Sequence, residues 1–257
     1  MEKNISDGKV LCGVQLYTLR KHARTKEGLE KCFEFCAKAG AKAVQLSSVY
    51  EAQPDFLKEL KDKYNLDICV THKSFERITQ DCAALCAEHK VYECDLIGVP
   101  SMPPAYRGSM EKVLDFCAQM NKAQRESERY GINLAYHNHA FEFNNNIYDT
   151  LIDNLDRNIK FILDTYWADF AGQDVFALMD RLSDRLAVLH LKDKKTVFNK
   201  IKLMRAPGKG EFDFAKILKY AQDNTACKYA LIELDLSLSP FKDVEYSLNH
   251  LRKVYAD

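Results

Sequence analysis

A chain of 257 residues, 47% hydrophobic and 29% charged, has the composition of a protein that buries a substantial core, which excludes the disordered and fibrous classes. Lysine plus arginine equals aspartate plus glutamate at 37 each, so no global field favours nucleic acid or an anionic membrane, and neither is expected as a partner. The nine cysteines are scattered; Cys32/Cys36 and Cys82/Cys86 stand four apart rather than at the spacing of zinc or redox pairs, so all nine are expected as reduced thiols.

From the N-terminus, residues 1–9 are polar and lack the apolar stretch of a signal peptide. No run approaches the roughly 20 apolar residues that span a bilayer, so a cytoplasmic protein is expected, unless a leader has been removed. Apolar runs then alternate with amphipathic stretches. The pattern predicts strands at 10–16, 43–46, 67–71, 96–99, 133–137, 161–163, 187–191 and 229–233. Helices are predicted at 29–39, 56–63, 79–88, 110–130, 150–155, 175–182, 214–223 and 244–254. Gly40 and Gly131 follow helices where a left-handed residue is wanted, and Asp213 is an N-cap candidate before Phe214. Eight such cycles without a linker predict one domain over 1–257, a (β/α)₈ TIM barrel. A doubly wound sheet would want Gly-x-Gly-x-x-Gly after its first strand, and Gln15 to Arg20 stand there instead.

In a barrel the site is built at the C-terminal ends of the strands, and these are unusually polar here. They carry Gln15 and Tyr17, His72, then His137, Asn138 and His139 with Glu142 close behind, and finally Asp164, His190 and Glu233. Each of the last three follows an apolar run, FILD, AVLH and ALIE, so each caps a buried strand. Singly they have plain structural readings: a loop cap for Asp164, a core histidine for His190, a pair with Lys192 for Glu233. Together, carboxylates and imidazole from different strands can bind Mn²⁺, Mg²⁺, Co²⁺ or Zn²⁺.

The segments GVQLYTLR (13–20), AYHNHAFEF (135–143), FILDTYWADFAG (161–172), VLHLKD (188–193), GKGEFDF (208–214) and LIELD (231–235) resemble, in this order, the sugar phosphate isomerase/epimerase family of xylose isomerase-like TIM barrels. The resemblance implies one divalent metal, with Mn²⁺ preferred, held by Asp164, His190, Glu233 and a fourth group near strand five. Ketose 3-epimerases place a glutamate there, where this chain has His137. Glu142 folding back, or His137 or His139, would complete the set; Glu142 is favoured because three carboxylates better neutralise a divalent ion. The Gly208-Lys209-Gly210-Glu211 segment resembles the family's glycine-bracketed loop, so Lys209 is a candidate for holding a substrate oxygen, or else lies in a solvated turn.

The activity implied is proton abstraction from a small carbohydrate or keto-sugar through an enediolate stabilised by the metal, an isomerisation or epimerisation. Glu233 or a strand-five histidine, His137 or His139, is the base, and Lys192 is a further catalytic candidate. Gln15, Tyr17, His72, Trp167 and Lys209 are expected to bind substrate. Dehydration of the inosose dehydratase kind is the alternative, favoured by the histidines of strand five. A carbohydrate-binding barrel without chemistry is the competing class. An endonuclease like endonuclease IV would need further histidines after Asp164 and after strand seven; Trp167 stands in the first place, and there is none between 191 and 249. Barrels of this kind often dimerise through their outer helices, so the sequence allows a homodimer.

Overall fold

The computed structural model describes residues 9–198 and 200–255; residues 1–8, most of the polar N-terminal segment, lie outside them. The eight predicted strand regions form β1 (Leu11–Gln15), β2 (Ala43–Leu46), β3 (Asp67–His72), β4 (Leu96–Val99), β5 (Asn133–His137), β6 (Lys160–Asp164), β7 (Leu186–Leu191) and, after an interruption, β10 (Tyr229–Ile232). All neighbours are parallel, and the order β1-β10-β7-β6-β5-β4-β3-β2 closes a barrel.

Between them run α1 (Lys26–Lys38), α2 (Pro54–Tyr64), α3 (Phe75–Gln80), α4 (Cys82–Val91), α5 (Met110–Ser127), α6 (Ile147–Asn154), α7 (Thr165–Phe170), α8 (Val175–Leu182), α9 (Phe214–Asn224) and α10 (Pro240–Val254). Local chemistry sets their ends. Thr25, Ser74, Ser109 and Asp213 each accept the amide of the residue three further on, and Gly40 and Gly131 adopt φ of +88° and +68° beyond α1 and after the turn that follows α5. The helix predicted over 79–88 is two helices, broken at Asp81, whose φ of −137° leaves the helical region. A further departure is the antiparallel hairpin of β8 (Asp193–Val197) and β9 (Ile201–Arg205), outside the barrel. Its residues are mostly half-buried or exposed, so it lacks the buried-face alternation that betrays a strand.

Side chains two apart on a strand share a face. Ala43, Leu96, Ala135, Ile162, Val188 and Leu231 accordingly form an apolar cluster of their own, apart from the larger core between barrel and helices. Two residues further along the same strands come Gln45, Gly98, His137, Asp164, His190 and Glu233. The polar layer therefore rests on the apolar one. Gly98 is required there, because a Cβ would lie 2.9 Å from the His72 ring and 3.0 Å from Ile162.

All nine cysteines are free. Among the described residues no helix is long and apolar enough to cross a membrane.

Candidate functional site

The polar layer brings four ligand-type side chains to one point. One atom each from His137, Asp164, His190 and Glu233 lies within 4.8 Å of all the others, and all four residues are buried. His190 Nδ1 is 2.7 Å from Glu233 Oε2, and His137 Nε2 is 3.5 Å from Asp164 Oδ2. None of these four atoms has a hydrogen bond of acceptable geometry. Buried polar atoms seldom stay unpaired, so a convergent set of this kind fits a ligand they share.

The supports fix which nitrogen faces the centre. His190 Nε2 lies 2.7 Å from Gln45 Oε1, and His137 Nδ1 lies 3.1 Å from the Pro100 carbonyl. Both oxygens can only accept, so these nitrogens donate, and His190 Nδ1 and His137 Nε2 face the centre; at His137 burial opposes the charged ring, but Asp164 outweighs it and raises the pKa. A lone pair on His190 facing a carboxylate oxygen at 2.7 Å calls for a cation or proton between them. Burial holds the His190 pKa below its usual value despite Glu233, which disfavours the proton. Asp164 is set by its own backbone: its Oδ1 accepts the Trp167 amide at the start of α7, and its amide donates to Asn138 Oδ1.

Lys192 is the remaining charge. Its Nζ lies 2.7 Å from Asp235 Oδ1, 3.0 Å from Asp164 Oδ2 and 3.3 Å from Glu233 Oε2. Burial presses this ammonium towards neutrality, but the three carboxylates outweigh it and keep it charged. Burial likewise pushes the Asp164 and Glu233 pKa values up, and Lys192 overcomes it, aided by His137 at Asp164 and by His190 at Glu233, so both carboxyls ionise below their usual range. Three carboxylates against one ammonium leave a negative excess that a divalent cation would neutralise. The donor set, two imidazoles and two carboxylates, suits such an ion.

Over this group lies a hollow of about 350 Å³ whose walls include Tyr17, His72, His139, Trp167, Lys192 and Asp235. His72 is held well below its usual pKa by burial and neighbouring histidines, and burial takes His139 down to about 3, so both rings are neutral at pH 7. Gln15 points into the barrel beneath the hollow, where its Oε1 accepts the Tyr17 amide.

Two expected residues stand apart. Glu142 is buried, but its Oε1 accepts from the Tyr136 hydroxyl at 2.7 Å and its Oε2 from the His139 amide at 2.8 Å, so it braces the β5 loop and is not one of the four that converge. His137 takes that place, because strand alternation turns it inward with Ala135. Lys209 pairs with Asp243 at 2.7 Å and covers the Tyr246 ring, which ties it to α10 rather than to the hollow. Gln45 and Asp235 were not anticipated. Gln45 was legible, since it stands two residues after Ala43 in a strand whose period is two; Asp235 lies on a loop, where no period applies.

A family described as the xylose isomerase-like TIM barrel matches residues 33–254. The inosose dehydratase of Clostridium perfringens strain 13 is 23% identical over 261 aligned positions, covering 85% of this chain and 86% of that protein. Among solved structures, a sugar phosphate isomerase/epimerase from Parabacteroides distasonis superposes with a TM-score of 0.79 at 20% identity, covering 98% of both chains. A probable 3-DHS dehydratase of petrobactin synthesis from Bacillus anthracis gives a TM-score of 0.74 at 14% identity, covering 94% of this chain and 98% of that one. The two structures speak to the fold.

Proposed function

Because the chain belongs to the xylose isomerase-like TIM barrel family, we propose that its barrel mouth is the active site of a metal-dependent sugar isomerase or epimerase. The observation that carries this reading is the convergence of one ligand-type atom each from His137, Asp164, His190 and Glu233, none of them in a hydrogen bond of acceptable geometry. These four would hold one divalent cation, with Mn²⁺ the first candidate ahead of Mg²⁺, Co²⁺ and Zn²⁺. When bound, the cation would draw charge from the vicinal oxygens of a keto-sugar and so acidify the C–H between them.

The protein's own groups do the rest. Glu233 borders the hollow and is a carboxylate at neutral pH, so it takes the proton. Lys192, held charged by its three carboxylates, steadies the oxygen on which negative charge grows. Trp167 supplies an apolar wall for the ring, and Tyr17 and His72 meet its hydroxyls. His139 stands just past the strand three places round the barrel from β10, and its neutral ring meets a further hydroxyl of the sugar. Returning the proton to the opposite face of the same carbon epimerises the sugar; returning it to the neighbouring carbon isomerises it.

A second reading is dehydration, supported by the name of the inosose dehydratase relative and by His137 and His139 at the mouth. Elimination of water needs one group to take a proton and another to protonate the departing hydroxyl; Glu233 would take the first and the charged Lys192 would supply the second.

Incubation of the metal-loaded protein in deuterated water with ketoses, keto-inositols and 3-keto-glycosides tests both readings. Exchange into recovered sugar is expected; a product lighter by one water selects dehydration. Asp164→Ala should lose bound metal. Glu233→Gln should stay folded and exchange about 10²–10⁴-fold more slowly, the range for a lost general base. Undiminished exchange in that variant removes Glu233 from its role, and metal binding without exchange in any sugar leaves a binding protein.

A further inference from the structure

The hollow over the metal-ligand group does not end at its rim. A second hollow of about 360 Å³ opens beside it, between the segments that follow β2 and β3. Ser47, Ser48 and His72 line both, so the two are neighbours that share a wall, in which Ser47 Oγ and His72 Nδ1 lie 3.2 Å apart. Each alone lies near the lower end of the roughly 300–1,000 Å³ typical of ligand sites. Taken together, the two neighbouring hollows have about twice the room of the one that carries the catalytic groups.

We propose that this annexe is a second carbohydrate subsite, so that the substrate is a glycoside of two sugar units, one over the metal-ligand group and the other between the β2 and β3 loops. The inference rests on the mouth being the carbohydrate site. The lining chemistry selects a neutral polyol. The hydroxyls of Ser48, Tyr50 and Tyr92, all residues that line this hollow, make no hydrogen bond with the described residues and are free to meet the hydroxyls of a sugar. Tyr50 adds an aromatic surface of the kind that packs against a sugar ring, and Val49 and Ala52 complete an apolar side.

An anionic group is disfavoured. The Arg77 guanidinium is already claimed by Asp81 at 2.6 Å and Glu88 at 2.5 Å, and Lys73 has Glu51 at 3.9 Å. These five side chains sum to one negative charge, so the annexe has no surplus cation for a phosphate.

Binding can be read without turnover, because the only tryptophan of the chain, Trp167, borders the first hollow. Titrations of its fluorescence with cellobiose, maltose, lactose and trehalose, with their component monosaccharides, and with glucose 6-phosphate and fructose 6-phosphate, are run with and without added Mn²⁺. At least one disaccharide should bind about tenfold or more tightly than its monosaccharide. Ala52→Phe, which fills the annexe, and Tyr50→Ala, at a position already partly exposed, should each bring that ratio close to one. The inference is overturned if no disaccharide is preferred, if both variants keep the preference, or if a sugar phosphate binds tightest. A protein that prefers disaccharides yet exchanges no deuterium keeps the annexe and loses the enediolate chemistry.

Discussion

At the scale of single residues, the site depends on side chains that hold other side chains. Gln45 would not contact a metal, yet its Oε1 takes the Nε2 proton of His190 and so leaves the Nδ1 lone pair facing Glu233. Groups that fix the tautomer of a ligating histidine typically matter about 10–100-fold in metal affinity. Gln45→Leu, close in volume but without an acceptor, should therefore weaken Mn²⁺ binding by that factor while the far-ultraviolet circular dichroism stays unchanged. Calorimetric titration measures it, and an unaltered affinity would show that His190 is oriented by packing alone. Much of this layer is legible in the sequence, since Asp164, His190 and Glu233 each end an apolar run. Period-two alternation places His137 beside them. Glu142, which charge balance favours, lies five residues beyond the inward-facing His137, and nearby Tyr136 and His139 already claim its oxygens.

Among the elements, the loop after the β8–β9 hairpin depends on one buried carboxylate. Asp193 accepts from the amides of Lys194, Gly208, Gly210, Glu211 and Phe212, all between 2.8 and 3.1 Å. A Cβ at Gly210 would come within 2.3 Å of that carboxylate, which explains the second glycine of the Gly-x-Gly segment better than contact with a substrate does. Asp193→Ala takes an acceptor from five amides, of which that of Glu211 keeps the Lys194 carbonyl at 2.9 Å, and should cost about 1–3 kcal/mol or somewhat more in denaturant unfolding. Amide exchange should show the cost as lost protection over 206–212 with the barrel strands still protected. Unchanged protection in that loop would mean that something other than Asp193 holds it. The hairpin was invisible to periodicity because both its faces are partly exposed. It is placed by contacts with α7: Asp169 lies 2.5 Å from Lys194 and 2.8 Å from Lys202, and the Tyr166 hydroxyl donates to the Lys202 carbonyl.

For the whole molecule, stability should decline on the acid side of neutrality through a histidine outside the group that converges at the barrel mouth. His89 on α4 is enclosed, with Thr71 Oγ1 and the Leu85 carbonyl each 2.7 Å from a ring nitrogen, and burial takes its pKa down to about 3. The unfolded chain protonates this ring near pH 6.5, whereas the native state does not until about pH 3. Between these values the unfolded state binds the extra proton, so this group lowers stability as pH falls below about 6.5, by up to about 1.4 kcal/mol per unit. Above that it has no pH effect. Urea unfolding of wild type and His89→Gln over this range should show a shallower slope in the variant; parallel slopes would place a charged His89 in the native protein. The sequence by itself determined the eight alternating units and the strand-end positions of the polar residues, because both follow from local periodicity and the pleat of a strand. Only the tertiary structure decided that His137 rather than Glu142 joins the group, that Lys192 is shared by three carboxylates, and that Lys209 faces α10. Those outcomes depend on distances between residues far apart in the chain, which closure of the barrel sets and no local pattern encodes.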